Sequence, residues 1–109
     1  MILRIWHGWT TPADADDYER LVDGSIVPAI LRRGIPGLLD VEIVRRARSD
    51  RGEVEFVTIM RFEDWQAVEA FAGPGGTSSV VPEPARRLLS RFDTHSQHYD
   101  LVGTHRAAV

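Results

Sequence analysis

The chain has 109 residues, 43% hydrophobic and 27% charged, with a net charge of −3, a make-up that fits one soluble globular domain burying roughly 60–70% of its unfolded surface. It has no cysteine, which excludes disulfides, thiolate nucleophiles and thiolate-bound metal or iron–sulfur centres. All 13 basic residues are arginine, which excludes lysine Schiff bases, lysine-anchored pyridoxal phosphate and the lysine-bearing phosphate loop; their scatter among acids argues against a nucleic-acid partner.

Ile2 to Trp9 alternates Leu3, Ile5, His7 and Trp9 against Ile2, Arg4, Trp6 and Gly8, the period-2 pattern of a strand with two usable faces. The same stretch lacks a charged region followed by an apolar core and a cleavage site, and no apolar run approaches a membrane span. The expected location is therefore cytoplasmic, with no membrane partner. Thr11 offers a helix N-cap, Pro12 suits the first helical position, and Asp14 sits at capping-box spacing. Tyr18, Leu21, Val22, Ile26, Ala29 and Ile30 recur near helical spacing, Pro28 is expected to kink the helix, and Gly34 to end it. Ile35-Pro36-Gly37 reads as a turn into a second strand, Leu38 to Arg48. Ser49-Asp50-Arg51-Gly52 reads as a hairpin turn. The nearby arginines 45, 46, 48 and 51 read as a solvated strand edge, because Glu53 and Glu55 follow closely.

Glu53 to Phe62 reads as a third strand with Val54, Phe56, Thr58, Met60 and Phe62 on one face. Glu63 or Asp64 starts a helix buried through Trp65, Val68, Phe71 and Ala72, and Gly73-Pro74-Gly75-Gly76 ends it. The glycine-, proline- and serine-rich stretch to Pro84 is expected to be a surface loop or mobile lid, and it lacks dinucleotide and phosphate-loop fingerprints. A short helix, about Pro84 to Phe92, leads to a last strand, about Thr94 to Val102.

The order strand, helix, strand, strand, helix, strand implies an α+β ferredoxin-like βαββαβ fold with a four-stranded antiparallel sheet and both helices on one face. One domain is expected over 1–103, with a C-terminal tail over 104–109. The bare face is expected to carry Ile2, Trp6, Val57, Ile59 and Val44, too much apolar area to leave in water at about 25 cal/mol per Å². A homodimer is the economical cover.

Several stretches together resemble the antibiotic biosynthesis monooxygenase family: Ile2-Leu3-Arg4-Ile5-Trp6, Ile35-Pro36-Gly37, Glu55-Phe56 to Arg61 followed by Ala67-Val68-Glu69-Ala70-Phe71, and His98-Tyr99-Asp100-Leu101-Val102. The resemblance spans about residues 2 to 102 and implies a dimeric α+β barrel, with a pocket between sheet and helices in each subunit. It further implies that quinone-forming, cofactor-free members use asparagine and tryptophan on the third strand, where this chain has Thr58 and Phe62. Haem-degrading members use a strand-one asparagine, a tryptophan in the second helix and a helical histidine. Here His7 and Phe71 stand at the first two positions and no histidine occurs between His7 and His95, which disfavours haem.

Strand parity assigns His7 to the pocket face with Leu3, Ile5 and Trp9, as a candidate general base; a hydrogen-bonded core histidine fits the same pattern. His98 is a further catalytic candidate, sharing a strand face with Asp100, whose carboxylate could orient or charge the imidazole or simply stabilise the last strand or the dimer, and Tyr99 is a candidate proton donor or oxyanion partner. Substrate-binding candidates are Trp9, Phe56, Thr58, Met60, Phe62 and Trp65, with Trp6 expected at the dimer interface. His95 and His98 should point to opposite faces and chelate poorly, so no metal site is expected. The resulting expectation is a cofactor-independent oxygenase for a small aromatic or polyketide-like ligand, with His7 as base and Thr58 or Tyr99 holding the oxyanion. A cyclase or isomerase on the same scaffold and a non-catalytic or stress-associated binding dimer are the alternatives.

Overall fold

The structure is a computed structural model that describes residues 1–47 and 52–108. Strand β1 runs Ile2–Thr10, and helix α1, Pro12–Leu21, begins where Thr11 Oγ1 accepts the Asp14 N–H, with Pro12 in the first turn. A π-helical segment, Val22–Ile26, joins α1 to helix α2, Val27–Arg32. Pro28 has no N–H to give the carbonyl four residues back, and the widened turn just before it, in which Val27 N–H reaches Val22 O, absorbs the mismatch. The expected kink thus takes the form of a π-bulge.

Strands β2 (Leu38–Arg45) and β3 (Val54–Phe62) pair antiparallel. Of the expected hairpin turn, residues 49–51 lie outside the described residues, as does the end of the second strand at Arg48. Helix α3, Trp65–Ala72, is capped by Asp64, whose Oδ1 accepts the Ala67 N–H at 2.9 Å. Gly37 is needed where the turn into β2 meets α3: its φ is +85° and a Cβ would stand 2.7 Å from that of Ala67.

Helix α4 covers Glu83–Leu88, and the chain enters strand β4, Leu89–Phe92, at once. The expected helix to Phe92 therefore ends early. Leu89 to Phe92 already lies in the β1 ladder, which supplies hydrogen bonds that a further helical turn would forfeit. Strand β5, Gln97–Asp100, pairs with the first half of β1 and β4 with its second half, so the fourth lane of the sheet is one path in two pieces. The registers Gly8 with Phe92 and Ile5 with Gln97 leave two extra residues between the pieces, a bulge over 93–96. Sheet order is β2-β3-β1-β4, antiparallel throughout, with β5 also on β1. This is the ferredoxin-like arrangement of the α+β class.

Both core clusters lie on one face of the sheet. Ala15, Tyr18, Val22, Phe56 and Ala85 form one; Met60, Phe62, Ala67, Val68 and Phe71 form the other. Residues 101–108 carry no regular secondary structure. No helix among the described residues is long and apolar enough to cross a membrane.

Candidate functional site

The register decides which β1 side chains meet the helices. Arg4 pairs with Met60, Trp6 with Thr58 and Gly8 with Phe56, and paired residues share a face. Phe56 and Met60 pack under the helices, so Arg4, Trp6 and Gly8 do too, while Leu3, Ile5, His7 and Trp9 lie on the opposite, helix-free face. The sequence assignment of the two β1 faces is thereby reversed: His7 and Trp9 leave the pocket side, and Ile2 and Trp6 leave the bare side. The reason is that Arg4, which would ordinarily mark the wet face, is buried by contacts from far along the chain.

A cavity lies between this face and the helical layer. It is lined by Arg4, Trp6, Thr58 and Met60 from the sheet, Tyr18 from α1, Val22 and Ile26 from the π-helical segment, Val27 and Ile30 from α2, Phe71 from α3, Ala85 from α4, and Val80, Val81, Pro82 and Ser96. The space available to the centre of a water-sized sphere is about 60 Å³, enough for a few waters. Residues of the stretch between α3 and α4 thus wall it, as expected of a loop covering a pocket. Gly76, with φ +71°, packs where a Cβ would come within 3.0 Å of Val68 and 3.1 Å of Trp65.

Arg4 is 3% exposed. Its Nη1 donates to Gly76 O and approaches His98 Nε2 at 3.0 Å, its Nη2 donates to Ser78 O at 2.8 Å, and its guanidinium sits 5.3 Å from the centre of the Phe71 ring. Burial pulls its pKa down to about 10, so it stays charged at neutral pH. His98 stacks edge-on against Trp65, ring centres 4.8 Å apart, and its pKa is lowered by burial first and by the Arg4 charge second. Tyr18 is pushed up to about 12 by burial, so its phenol remains a hydrogen-bond donor. Ser96 Oγ is buried with no hydrogen-bond partner among the described residues. Trp6 Nε1 donates to Ser79 Oγ at 3.0 Å and to Asp93 O at 2.9 Å, tying the covering loop to the bulge.

Thr58 and Met60 are the sequence-chosen residues that line the cavity. Phe56 and Phe62 share their face but are fully buried in the two core clusters. Trp65 is 38% exposed and reaches the site through His98. Tyr99 pairs with Leu3 and is 57% exposed on the helix-free face. His98 and Asp100 share a face, but Asp100 stands opposite Ile2 and His98 opposite Arg4, which is the partner the imidazole meets.

On the other face, His7 Nδ1 donates to Asp93 Oδ2 at 2.6 Å, the same oxygen accepts the His7 main-chain N–H at 2.9 Å, and the ring stacks on Trp9. Among the described residues no group of three or more acidic, histidine or cysteine side chains could hold a metal ion. Sequence reasoning missed Arg4, Tyr18 and Ser96. Tyr18 was read as helix packing, and the other two depend on the bulge and loop that no local pattern announces.

No family model matches the sequence, and no curated protein is significantly similar to it. Solved structures are. A Bacillus cereus protein assigned to the antibiotic biosynthesis monooxygenases matches with TM-score 0.65 at 14% identity, covering 97% of each chain. A monooxygenase from the gene ActVA-Orf6 of Streptomyces coelicolor, solved with nanaomycin D, matches with TM-score 0.61 at 15% identity over 98% of this chain and 92% of that one. SnoaB, a cofactor-independent oxygenase from Streptomyces nogalater, matches with TM-score 0.54 at 19% identity over 94% and 95%. The chain therefore has the fold of antibiotic biosynthesis monooxygenases, as the sequence resemblance implied, at identities that establish the fold alone.

Proposed function

We propose that the protein is a small oxygenase that binds an aromatic or polyketide-like molecule in the sheet–helix cavity and oxidises it with dioxygen without a metal or organic cofactor. The observation that carries this reading is the cavity itself: an apolar, partly open space with the hydroxyl-bearing Thr58, Tyr18 and Ser96 in its wall, on a scaffold shared with a cofactor-independent oxygenase. Apolar walls hold the rings, and the few polar groups orient them.

Catalysis in this reading begins with loss of a proton from a phenolic or anthrone-type substrate. The proton leaves to solvent at the cavity mouth, because among the described residues no carboxylate or imidazole lines the cavity and the His98 lone pair is held by Arg4, while the charged guanidinium of Arg4 favours the substrate anion. The hydroxyls of Thr58 and Tyr18 hold the oxyanion that develops on the substrate. The carbanion then reacts with dioxygen. For an anthrone the balance is one methylene and one dioxygen converted to one carbonyl and one water. His7 and Tyr99, on the other face, take no part.

A homodimer completes the proposal. Leu3, Ile5, Val57, Ile59 and Val44 lie on the helix-free face, and Val44 alone is 45% exposed; pairing two such faces removes that apolar area from water.

A second reading has a specific observation in its favour. Phe62, at the position where the family resemblance puts a tryptophan, is fully buried in the core rather than at the cavity, which fits a protein that binds its ligand without converting it. Oxygen uptake with an anthrone probe such as dithranol separates the two. Uptake above the protein-free rate, slowed in Thr58→Val, supports the oxygenase; saturable binding without uptake supports the binding protein.

A further inference from the structure

Arg4 places a guanidinium in the wall of an apolar cavity, and its hydrogen-bond partners are two main-chain carbonyls and an imidazole, none of them a carboxylate. A buried cation satisfied only by neutral acceptors is costly, and the cost is met here by the stretch between α3 and α4, whose Gly76 and Ser78 carbonyls fold over the charge. One carbonyl bonds Nη1 and the other Nη2. Two oxygens set across the two terminal nitrogens of a guanidinium are what a single carboxylate supplies, with a negative charge in addition.

We infer that Arg4 is the receptor for the carboxylate of an apolar acid, which takes the places now held by the Gly76 and Ser78 carbonyls and so releases residues 76–80 from the cavity mouth. The inference rests on the cavity being the ligand site, as proposed above, and adds the chemical class of the ligand and the way in.

Three further observations point the same way. Ser96 lines the same cavity, is 6% exposed, and its Oγ has no partner among the described residues; a carboxylate beside Arg4 would accept from it and satisfy that donor. The cavity is small, and one wall is the segment that Arg4 ties down, through Val80, Val81 and Pro82. Displacing that wall is how a fused-ring acid gains room. The segment also has its pivots in place, because Gly73, Gly75 and Gly76 all have positive φ, where a Cβ would be strained. The other ties on the segment among the described residues are the Gly76 N–H to Gly73 O bond at 3.0 Å, the Ser79 N–H to Thr94 O bond at 3.1 Å, the Ser79 hydroxyl on Asp93 O, the Ser96 N–H to Thr77 O bond at 2.8 Å, the Ser78–His95 bridge and the Trp6 indole on Ser79.

The test compares 2-naphthoate with its neutral isostere 2-naphthamide by calorimetry, with amide hydrogen exchange over residues 76–80, using the wild-type protein, Arg4→Gln and Arg4→Lys. Wild type should bind the acid roughly tenfold or more tighter than the amide, the gain expected of a charge-assisted bond over a neutral one. Arg4→Gln should abolish that preference, Arg4→Lys should keep part of it, and exchange over 76–80 should quicken when the acid is bound. The wild-type comparison stands even if a variant does not fold. Equal binding of acid and amide, with the ring in the cavity of a crystal structure, would overturn the carboxylate receptor and leave the cavity as the ligand site. Preferential acid binding with unchanged exchange over 76–80 would overturn the displacement of the loop. Failure of both compounds to bind at millimolar concentration would overturn the ligand site and, with it, the inference.

Discussion

Nη1 of Arg4 lies 3.0 Å from Nε2 of His98, and since a guanidinium can only donate, Nε2 must be the acceptor and the ring must carry its proton on Nδ1. Protonating His98 would destroy that bond and set two cations side by side. Burial and the Arg4 charge accordingly hold its pKa below the usual 6.5. Between the lowered value and 6.5 the unfolded chain binds more protons than the folded one, so this contribution to stability is fully present above about pH 6.5 and is lost as pH falls through the folded value. Urea midpoints measured across pH 7.5 to 5 should drop for the wild type and drop less for His98→Gln. An NMR titration of the imidazole at or above 6.5 would contradict the assignment.

Ser96 carries a buried hydroxyl with no hydrogen-bond partner among the described residues. Ser96→Ala should leave stability unchanged or raise it by up to about 1 kcal/mol, because it removes an unsatisfied donor rather than a bond. Urea denaturation checks this. A loss of more than about 1 kcal/mol would mean that Oγ has a partner in solution.

Asp93 holds the bulge to β1 through two bonds on one oxygen, from the main chain and the ring of His7. Asp93→Ala leaves the His7 N–H unpaired and should cost about 1–3 kcal/mol, whereas His7→Ala keeps the main-chain bond, loses the ring bond and the stacking on Trp9, and should cost about 0.5–1.5 kcal/mol. Because the ring lies on the face away from the cavity, His7→Ala should also leave ligand affinity and oxygen uptake at wild-type levels. A tenfold fall in either would restore His7 to the site.

Ile59 sits mid-strand on the helix-free face, opposite Ile5 on one side and Glu42 on the other. Light scattering should give twice the 12.3 kDa chain mass for the wild type, and Ile59→Glu should shift the protein to the single-chain mass by placing a charge in the apolar face that pairing would bury. A wild-type protein that scatters as one chain at high micromolar concentration would remove the dimer from the account.

Much of this architecture was legible along the chain. The β3 face, the Thr11 and Asp64 caps and the turn at Gly37 follow from periodicity and local hydrogen bonding, which need no knowledge of the rest of the molecule. The β1 face was not legible. Both of its parity sets are half apolar, and the tie is broken only by where Arg4 finds its acceptors, 72 and 74 residues later. The same long reach hid the site. Thr58 and Met60 were found because β3 alternates cleanly, while Ser96 lies in a bulge whose two extra residues show only in the pairing register.

The central claim is that the cavity oxidises its ligand with dioxygen, and it is tested most directly by an oxygen electrode. Purified, chelator-treated protein supplied with dithranol should take up one dioxygen per quinone formed, at a rate proportional to protein, and Thr58→Val should slow it about a hundredfold by removing one oxyanion donor. Saturable binding of the probe in the cavity with no uptake above the protein-free rate would contradict the claim and leave a binding protein in its place.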